Sequence, residues 1–275
     1  MSYNKILTIQ DISCVGQCSL TVALPILSAC GQETVILPSA VLSTHTGGFR
    51  EFTFRDLTDD IPKIQEHWQK EGIKFDAIYT GYLGSLKQIN YVEDILDTMG
   101  KDSCVKIVDP AMADNGKLYS IFDMEYALRM AELCKKADIV IPNITEACLM
   151  TGIPYVEKYD EEYVLRVINA LKESGMNTVI LTGISYDDST TGVVVYDKEY
   201  QYYSHKKLSK GSHGTGDIFA SSFTGAYMSG KSLFDAAGIA AEFVLKCMEN
   251  TEGDTEHWYG VKFEPCIPEL IKNLI

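Results

Sequence analysis

The chain has 275 residues, of which 46% are hydrophobic and 23% are charged, which is ordinary for a soluble globular protein with a sizeable core. Its formal net charge of −14 argues against a broad nucleic-acid surface, because contact with a phosphate backbone needs clustered lysine and arginine. No apolar run approaches the ~20 residues of a membrane span, and no signal peptide is recognisable. The 8 cysteines form no Cys-x-x-Cys pair, so we expect free thiols in a reducing cytoplasm rather than a zinc site or disulfides.

Strand-like and helix-like segments alternate along most of the chain. In chain order the pattern predicts a strand at 5–10, a helix at 19–30, a strand at 34–37, a flap strand or edge hairpin at 49–54, a helix at 61–71, a strand at 75–79, a helix at 89–99, a strand at 105–108, a helix at 122–137, a strand at 138–141, helices at 145–151 and 160–174, a strand at 178–181, an antiparallel pair at 192–196 and 200–206, and helices from 217, at 232–248 and at 268–274. Such alternation is typical of a mainly parallel sheet with helices on both faces. No linker or internal repeat interrupts it, so we expect one domain over residues 1–275.

Polar and glycine-containing clusters follow the predicted strands. They are Asp11, His45-Thr46, Tyr82, Asp109, Asn143 to Glu146, and Thr182. In open α/β sheets, ligands bind outside the carboxyl ends of the strands. The sequence therefore predicts a binding site along this edge of the sheet.

One further segment, His213-Gly214-Thr215-Gly216-Asp217, opens an apolar stretch of helical spacing. Glycines on either side of a threonine allow a sharp turn, and the first N–H groups of a helix are unpaired and carry partial positive charge. This is a place for an anion such as phosphate, with the Asp217 carboxylate beside it to take a proton. The alternative is a tight turn in which Asp217 only caps the helix.

Three common nucleotide and hydrolase signatures are absent. The chain has no Gly-x-x-x-x-Gly-Lys-Ser/Thr loop, no Gly-x-Gly-x-x-Gly after the first strand and no Gly-x-Ser-x-Gly. A P-loop NTPase, a Rossmann dinucleotide site and an α/β-hydrolase are therefore not supported.

The chain resembles the pyridoxal kinases of the ribokinase-like superfamily. The similar motifs run in the family's order and are Thr8-Ile9-Gln10, Ser43 to Gly47, Thr80-Gly81-Tyr82, Val108-Asp109-Pro110, Pro142 to Glu146 and Gly214 to Asp217. The resemblance implies a three-layer αβα sandwich with a small flap. It also implies ATP-dependent phosphorylation of the 5′-hydroxymethyl group of pyridoxal, pyridoxine or pyridoxamine.

The resemblance also implies roles for individual residues. Asp217 is the expected general base, and Gly214, Thr215 and Gly216 form the expected anion hole. Residues expected near the nucleotide and Mg²⁺ are Asp109, Asn143, Glu146, Thr182, Gly183 and Thr215, with Asp109 and Glu146 as the metal ligands. Residues expected to bind the vitamer are Asp11, Ser13, His45, Thr46 and Tyr82.

Some positions depart from the family or have a simpler interpretation. Asp11 stands where pyridoxal kinases commonly have serine, which leaves the preferred vitamer open. Asn143 and Glu146 also fit a capping box at a helix start, and Tyr82 fits a plain interior position. His45 and His213 could be hydrogen-bonded loop residues, and the lysines at 206, 207 and 210 a solvated face.

Rival functions remain on the same scaffold. Sugar kinases carry a glycine-rich Gly-Gly-x-Gly-x-Asn segment that the first fifty residues lack, and hydroxymethylpyrimidine kinases usually carry cysteine where this chain has Asp217. A non-catalytic vitamin-binding protein is a further alternative. The expected partners are ATP and a small vitamer, and neither nucleic acid nor a membrane is expected. Mg²⁺ is the expected cofactor, and a monovalent cation is left open. The family implies a homodimer.

Overall fold

In the computed structural model, which describes residues 3–208 and 212–275, a large twisted sheet forms the centre of the fold. The described strands are β1 (Lys5–Ser13), β2 (Glu33–Leu42), β3 (Phe54–Asp56), β4 (Phe75–Thr80), β5 (Gly100–Val108), β6 (Ala113–Asp114), β7 (Lys117–Leu118), β8 (Ile139–Val140), β9 (Val179–Ile184), β10 (Thr190–Tyr196) and β11 (Tyr200–Lys206). Nine of these described strands form one sheet in the order β11-β10-β9-β8-β5-β4-β1-β2-β3, while β6 and β7 form a separate hairpin. Pairing is parallel from β9 through to β2 and antiparallel at both edges, where β10, β11 and β3 lie.

Helices cover both faces of the sheet. The described helices are α1 (Leu20–Ala29), α2 (Ile61–Lys70), α3 (Leu86–Thr98), α4 (Met124–Cys134), α5 (Ile144–Thr151), α6 (Glu161–Glu173), α7 (Thr215–Met228), α8 (Leu233–Thr251) and α9 (Ile267–Leu274). Side chains of α2 to α6 share one apolar core with alternate strand residues such as Leu7 and Ile9. Side chains of α1, α7, α8 and α9 share a second core with Ile6 and its equivalents on the other strands. Two cores separated by one sheet confirm the expected three-layer αβα arrangement.

No helix within residues 3–208 and 212–275 is long and apolar enough to span a bilayer.

The structure corrects several predicted boundaries. β1 continues to Ser13, so Asp11 and Ser13 lie within the strand rather than after it. The pairing of β1 with β2 continues past Gln10 because β2 itself continues to Leu42. Beyond it, the Cys14 N–H donates to the Leu42 carbonyl at 2.9 Å. The predicted edge strand at 49–54 is wrong except at Phe54, since residues 49–53 are not in a strand and β3 runs from Phe54 to Asp56. The β6–β7 hairpin, with only two residues in each strand, was not anticipated because it is too short to show periodicity.

Candidate active site

Parallel strands bring the sequence-predicted polar residues to one edge of the sheet. Asp109 follows β5 directly, and its N–H donates to the Thr80 carbonyl at the end of β4 at 2.9 Å. Asn143 follows β8 and forms an isolated parallel bridge with Thr182 of β9. Four neighbouring strand ends therefore present their polar groups together, as the sequence predicts.

The Gly-Thr-Gly-Asp segment forms the first turn of α7 at the same edge. Gly214 is the N-cap residue with φ 79°, and the first bond of the helix runs from the Ile218 N–H to the Gly214 carbonyl at 3.0 Å. The N–H groups of Thr215, Gly216 and Asp217 have no acceptor among the described residues. Free N–H groups at the positive end of a helix dipole are suited to an anion, and this turn, Gly214 to Asp217, is called the cradle below. Because Gly214 is the cap, the alternative that Asp217 only caps the helix does not describe this turn.

The two glycines of the cradle differ in their surroundings. A Cβ on Gly214 would lie 1.7 Å from the Gln17 carbonyl oxygen, so the close approach of these two loops requires glycine. A Cβ on Gly216 would meet nothing within 4 Å. The space in front of Gly216 is open, which is what a bound anion needs.

The cradle opens into a cavity of about 420 Å³ lined by four acidic residues, Asp109, Asp114, Glu146 and Asp217. Burial, and then the charge of Asp11, raises the pKa of Asp217 to about 7, although the Ser19 N–H works in the opposite direction. Burial together with the charges of Glu146 and Asp217 raises the pKa of Asp109 well above its usual range. No lysine or arginine of the described chain lines this cavity. A bound cation would therefore relieve the repulsion among these acids.

Glu146 has a structural role that the sequence presented only as an alternative. Its carboxylate accepts the Met112 N–H at 2.8 Å and the Asn143 N–H at 2.9 Å, one on each oxygen. The Asn143 side chain in turn accepts the Glu146 N–H at 3.0 Å, which completes a capping box at the start of α5. Glu146 thus fastens the segment after β5 to α5, and its assignment as a metal ligand stays a prediction.

Asp109 is the better placed carboxylate for Mg²⁺. Its Oδ1 accepts the Ala111 N–H at 3.1 Å, and its Oδ2 has no hydrogen-bond partner in the described part of the chain. The described residues contain no cluster of three or more acidic, histidine or cysteine ligands. One or two carboxylates fit Mg²⁺ nonetheless, since this ion usually takes the rest of its shell from water and phosphate oxygens.

Part of the cavity lining is apolar and was not recognised in the sequence. Val193 of β10, Phe219 of α7, and Val244 and Met248 of α8 line it. Thr182 and Gly183, which were predicted, line the same cavity. The residues on α8 were missed because their spacing is that of any helix packed on a sheet.

The five residues expected to bind the vitamer do not line this cavity, and Ser13, His45 and Tyr82 lie near the fourth of them, Asp11. The Asp11 carboxylate is buried and accepts the hydroxyls of Ser13 at 2.9 Å and Ser19 at 2.6 Å. Its charge, second to burial, helps raise the pKa of Tyr82 to about 12. Ser19, which was not predicted, has φ 52° and joins the two acids, since its hydroxyl bonds Asp11 and its N–H points to Asp217.

His45 joins two loops through a neutral ring. Its Nδ1 accepts the Gly47 N–H at 3.0 Å, so its Nε2 carries the proton and donates to the Tyr259 carbonyl at 2.7 Å. Burial lowers the pKa of His45, in keeping with that neutral form. Thr46 beside it is exposed, and the His213 ring packs over Gly47.

A contact between the lysine cluster and the nucleotide stays a prediction, since Lys207 lines a neighbouring cavity together with Asn143, Thr182 and Gly183. Lys206 and Lys207 are exposed and line no part of the cavity beside the cradle. Lys210 lies outside the described residues.

Known proteins with related sequences and structures are named as phosphomethylpyrimidine kinases and pyridoxal kinases. The phosphomethylpyrimidine kinase family model matches residues 27–261. A provisionally named phosphomethylpyrimidine kinase from Bacteroides thetaiotaomicron, in an orthorhombic crystal form with pyridoxal, is 37% identical with a TM-score of 0.90 over 99% of this chain and 96% of that one. Pyridoxal kinase from Lactobacillus plantarum is 29% identical with a TM-score of 0.91 over 98% of both chains.

One curated relative is named for pyrimidine substrates rather than for pyridoxal. The hydroxymethylpyrimidine/phosphomethylpyrimidine kinase of Bacillus subtilis is 27% identical over 223 residues, which is 80% of this chain and 78% of that protein. The family match covers most of the chain, and the similar structures share its overall fold. The chain therefore belongs to the family of phosphomethylpyrimidine and pyridoxal kinases and is a kinase of ribokinase-like fold.

Proposed function

We propose that the protein transfers the γ-phosphoryl group of ATP to the 5′-hydroxymethyl group of pyridoxal, pyridoxine or pyridoxamine. The observation that carries this proposal is the Asp217 carboxylate at the head of an anion cradle. The resemblance at Thr46 and Tyr82 and the relative that was crystallised with pyridoxal support the vitamer as acceptor.

The chain's own residues supply positioning and a base. The N–H groups of Thr215 and Gly216 offer donors to the transferred phosphoryl group, where charge spreads over the equatorial oxygens. A pKa of about 7 leaves Asp217 able to take a proton near neutral pH. The hydroxyl proton passes to an Asp217 oxygen as the hydroxyl oxygen bonds to the γ-phosphorus, the bond from that phosphorus to the β-γ bridging oxygen breaks, and ADP leaves.

The donor nucleotide and its metal fit the cavity beside the cradle. The apolar side chains of Val193, Val244 and Met248 in its lining suit a purine base. Asp109, with Glu146 behind it, would hold Mg²⁺, which neutralises phosphate charge when bound.

The second candidate is a hydroxymethylpyrimidine kinase, which the Bacillus subtilis relative supports. The aspartate at position 217 favours a kinase of vitamin B6 compounds, because hydroxymethylpyrimidine kinases usually carry cysteine at that position. A binding protein without turnover is opposed by the presence of the base together with the cradle.

One assay separates these functions. ADP release is measured with pyridoxal, pyridoxine, pyridoxamine, hydroxymethylpyrimidine and ribose as acceptors, each with Mg²⁺ and ATP. We expect the highest kcat/KM for one of the three vitamers. A higher kcat/KM for hydroxymethylpyrimidine or ribose than for all three would overturn the assignment, and binding of pyridoxal without ADP release would reveal a non-catalytic protein.

A further inference from the structure

The loop that joins β1 to α1, residues 14–19, is in close contact with other parts of the chain on two sides. A Cβ on Gly16 would lie 2.1 Å from the His45 ring, and a Cβ on Gly214 would lie 1.7 Å from the Gln17 carbonyl oxygen. The loop therefore packs directly against the N-cap residue of α7. Because atoms packed this closely leave little room for adjustment, the position of the loop and the position of the cradle depend on each other.

Ser19, the last residue of this loop, has an unfavourable backbone conformation. It is buried, with φ 52° and ψ −133°, a combination that residues with a side chain rarely adopt. Strained residues of this kind persist only where their surroundings enforce the conformation, and they are concentrated at functional sites. The contacts of Ser19 should therefore show what enforces it.

The hydroxyl of Ser19 is not used to cap the helix that follows. Ser19 is the N-cap residue of α1, and its carbonyl accepts the N–H groups of Val22 at 3.0 Å and Ala23 at 2.9 Å. Serine is favoured at this position because its side chain usually accepts an N–H of the first turn, but Ser19 makes no such bond. Its hydroxyl instead donates to the Asp11 carboxylate at 2.6 Å, a length typical of a strong bond to an ionised acceptor.

Asp11, the acceptor of this bond, is held by the central sheet. It is buried within β1, and the pairing of β1 with β2 shifts register between Gln10 and Ile12, an irregularity that can redirect a side chain. The second oxygen of Asp11 accepts the Ser13 hydroxyl at 2.9 Å. The bond from Ser19 therefore ties the loop to a fixed point in the sheet.

We propose that the hydrogen bond from Ser19 to Asp11 is a positioning contact of the active site, which holds the loop of residues 14–19 against Gly214 and so fixes the first turn of α7, from which Asp217 acts. The structural part of this proposal stands on its own, and its effect on rate rests on the proposed function.

The loop has an internal brace that would pass a movement of Ser19 on to Gln17. The Thr21 hydroxyl, in the first turn of α1, donates to the Gly16 carbonyl at 3.0 Å and to the Cys18 carbonyl at 2.7 Å. Without the bond to Asp11, Ser19 would relax to an ordinary φ, and the loop would no longer be held where it supports the cradle. Small misplacements of a reacting group greatly reduce the rate, so kcat should fall while the KM values change little.

Kinetics test the effect on rate with two variants at one position. Ser19→Ala and Ser19→Gly both remove the hydroxyl, and each should lower kcat about tenfold with KM for ATP and for the vitamer within about twofold. Ser28→Ala is the control, because it removes an exposed hydroxyl near the other end of α1, and it should leave both parameters unchanged. A wild-type kcat in Ser19→Gly would overturn the proposal. A raised KM for the vitamer with unchanged kcat would also overturn it, since Asp11 would then act by contact with the vitamer.

Thermal melting tests whether Ser19 is held under strain. Ser19→Gly lacks the Cβ that is unfavourable at a φ of 52°, so it should melt about 2–5 °C above Ser19→Ala, although both variants lack the same hydroxyl. A folded Ser19→Gly beside a Ser19→Ala that does not fold would support the same conclusion. Equal melting temperatures would contradict the strain and with it the holding role of the bond.

Crystal structures of the wild type and of Ser19→Gly without ligands test the positioning itself. We expect the loop of the variant to move away from Gly214 and the first turn of α7 to shift by about 0.5–1 Å, the scale of misplacement that affects rate. A first turn that does not move would overturn the proposal. If the wild type phosphorylates no vitamer, the proposed function fails, while these two structures still decide whether the bond positions the cradle.

Discussion

At the scale of single residues, Asp217 is the position on which the functional proposal depends. Its pKa of about 7 combines burial with the nearby charge of Asp11, and its neighbours along α7 point unpaired N–H groups at the same space. Sequence alone left open whether this residue was a base or a cap, and the structure assigns the cap to Gly214. The substitution Asp217→Asn therefore tests proton transfer without removing a cap.

We expect Asp217→Asn to fold, to bind ATP about as well as wild type and to lose ~100-fold or more in kcat. The reason is that a positioned base contributes roughly 10²–10⁴-fold, with the low end expected for a loose phosphoryl-transfer transition state. Steady-state kinetics and a thermal melt measure the two properties, and Asp188→Asn on an exposed turn is the control. A folded variant that keeps more than about a tenth of wild-type kcat would remove general-base catalysis and leave the cradle as a phosphate site only.

Glu146 shows how one residue can carry a structural and a functional role at once. Glu146→Gln keeps the size of the side chain, but its NH₂ group cannot accept the N–H of Met112 or Asn143. We expect a loss of about 1–3 kcal/mol in the free energy of unfolding and a higher Mg²⁺ concentration for half-maximal activity.

Urea unfolding and a Mg²⁺ titration of activity measure the two effects of Glu146→Gln. Glu125→Gln is the matched control, because Glu125 also lies in the first turn of a helix but is exposed. Full activity of the EDTA-treated wild type without added metal would contradict the metal assignment for both Asp109 and Glu146.

At the scale of elements, the loop after β2 is packed against the C-terminal segment 254–260. The Phe49 and Trp258 rings lie 4.5 Å apart, and a Cβ on Gly48 would come 2.8 Å from the Trp258 ring. His45 adds its bond to the Tyr259 carbonyl. The sequence predicted a flap from Gly47-Gly48 and the phenylalanines after them, but it gave no sign of the partner, which is more than 200 residues away in the chain.

We expect hydrogen exchange across residues 47–57 to slow when an ATP analogue and a vitamer are both bound, because closing this segment over the acceptor would exclude water. Trp258→Ala should speed exchange of the same amides in the unliganded protein, since it removes the ring that covers Gly48 and Phe49. Exchange in α2 serves as the internal control in both measurements. Unchanged exchange on binding would reduce the segment to an edge loop.

Most elements of the fold could be predicted because burial of one face of a helix or strand makes apolar residues recur at a regular spacing in the sequence. The long helices α3, α6 and α8 and the buried strands β4 and β9 were located to within a few residues. Strand lengths were underestimated where the ladder includes polar residues, as at Asp11 and Ser13. Local patterns do not show which distant strand will satisfy those backbone groups.

The residues of the candidate site also fall into two groups, those that local sequence patterns reveal and those that depend on distant contacts. Glycines with steric reasons and acids that follow strands left clear signals, as at Gly214 and Asp109. Ser19 and the apolar wall on α8 left none, because each owes its role to residues brought near it only by the fold.

At the scale of the whole molecule, the fold gathers carboxylates of an already acidic chain at one edge of the sheet. The net charge is −14, and burial raises the pKa values of Asp109, Glu146 and Asp217. Because these carboxylates lie together, the free energy of unfolding should depend on pH and on the concentration of a divalent cation, and each dependence should change the other.

The sign of the pH effect follows from the direction of these shifts. Asp217 has a folded pKa of about 7 against an ordinary 3.8, so between those values the folded protein keeps a proton that the unfolded chain releases. Its contribution to stability is therefore greatest below about pH 4, falls as pH rises toward 7 and is level above that. Asp109 and Glu146 act in the same direction.

We expect the stability of the wild type relative to Asp217→Asn to fall between pH 5 and pH 8, measured by urea unfolding without metal. Taking the difference between the two proteins removes the general repulsion of the other charges. Added Mg²⁺ should stabilise the wild type more at pH 8 than at pH 5, because it binds ionised carboxylates in the folded state and competes there with protons. Asp188→Asn should follow the wild type throughout. Two results would contradict the burial of ionisable carboxylates beside the cradle. One is a wild type that gains stability relative to Asp217→Asn as the pH rises, and the other is Mg²⁺ stabilisation that is equal at the two pH values.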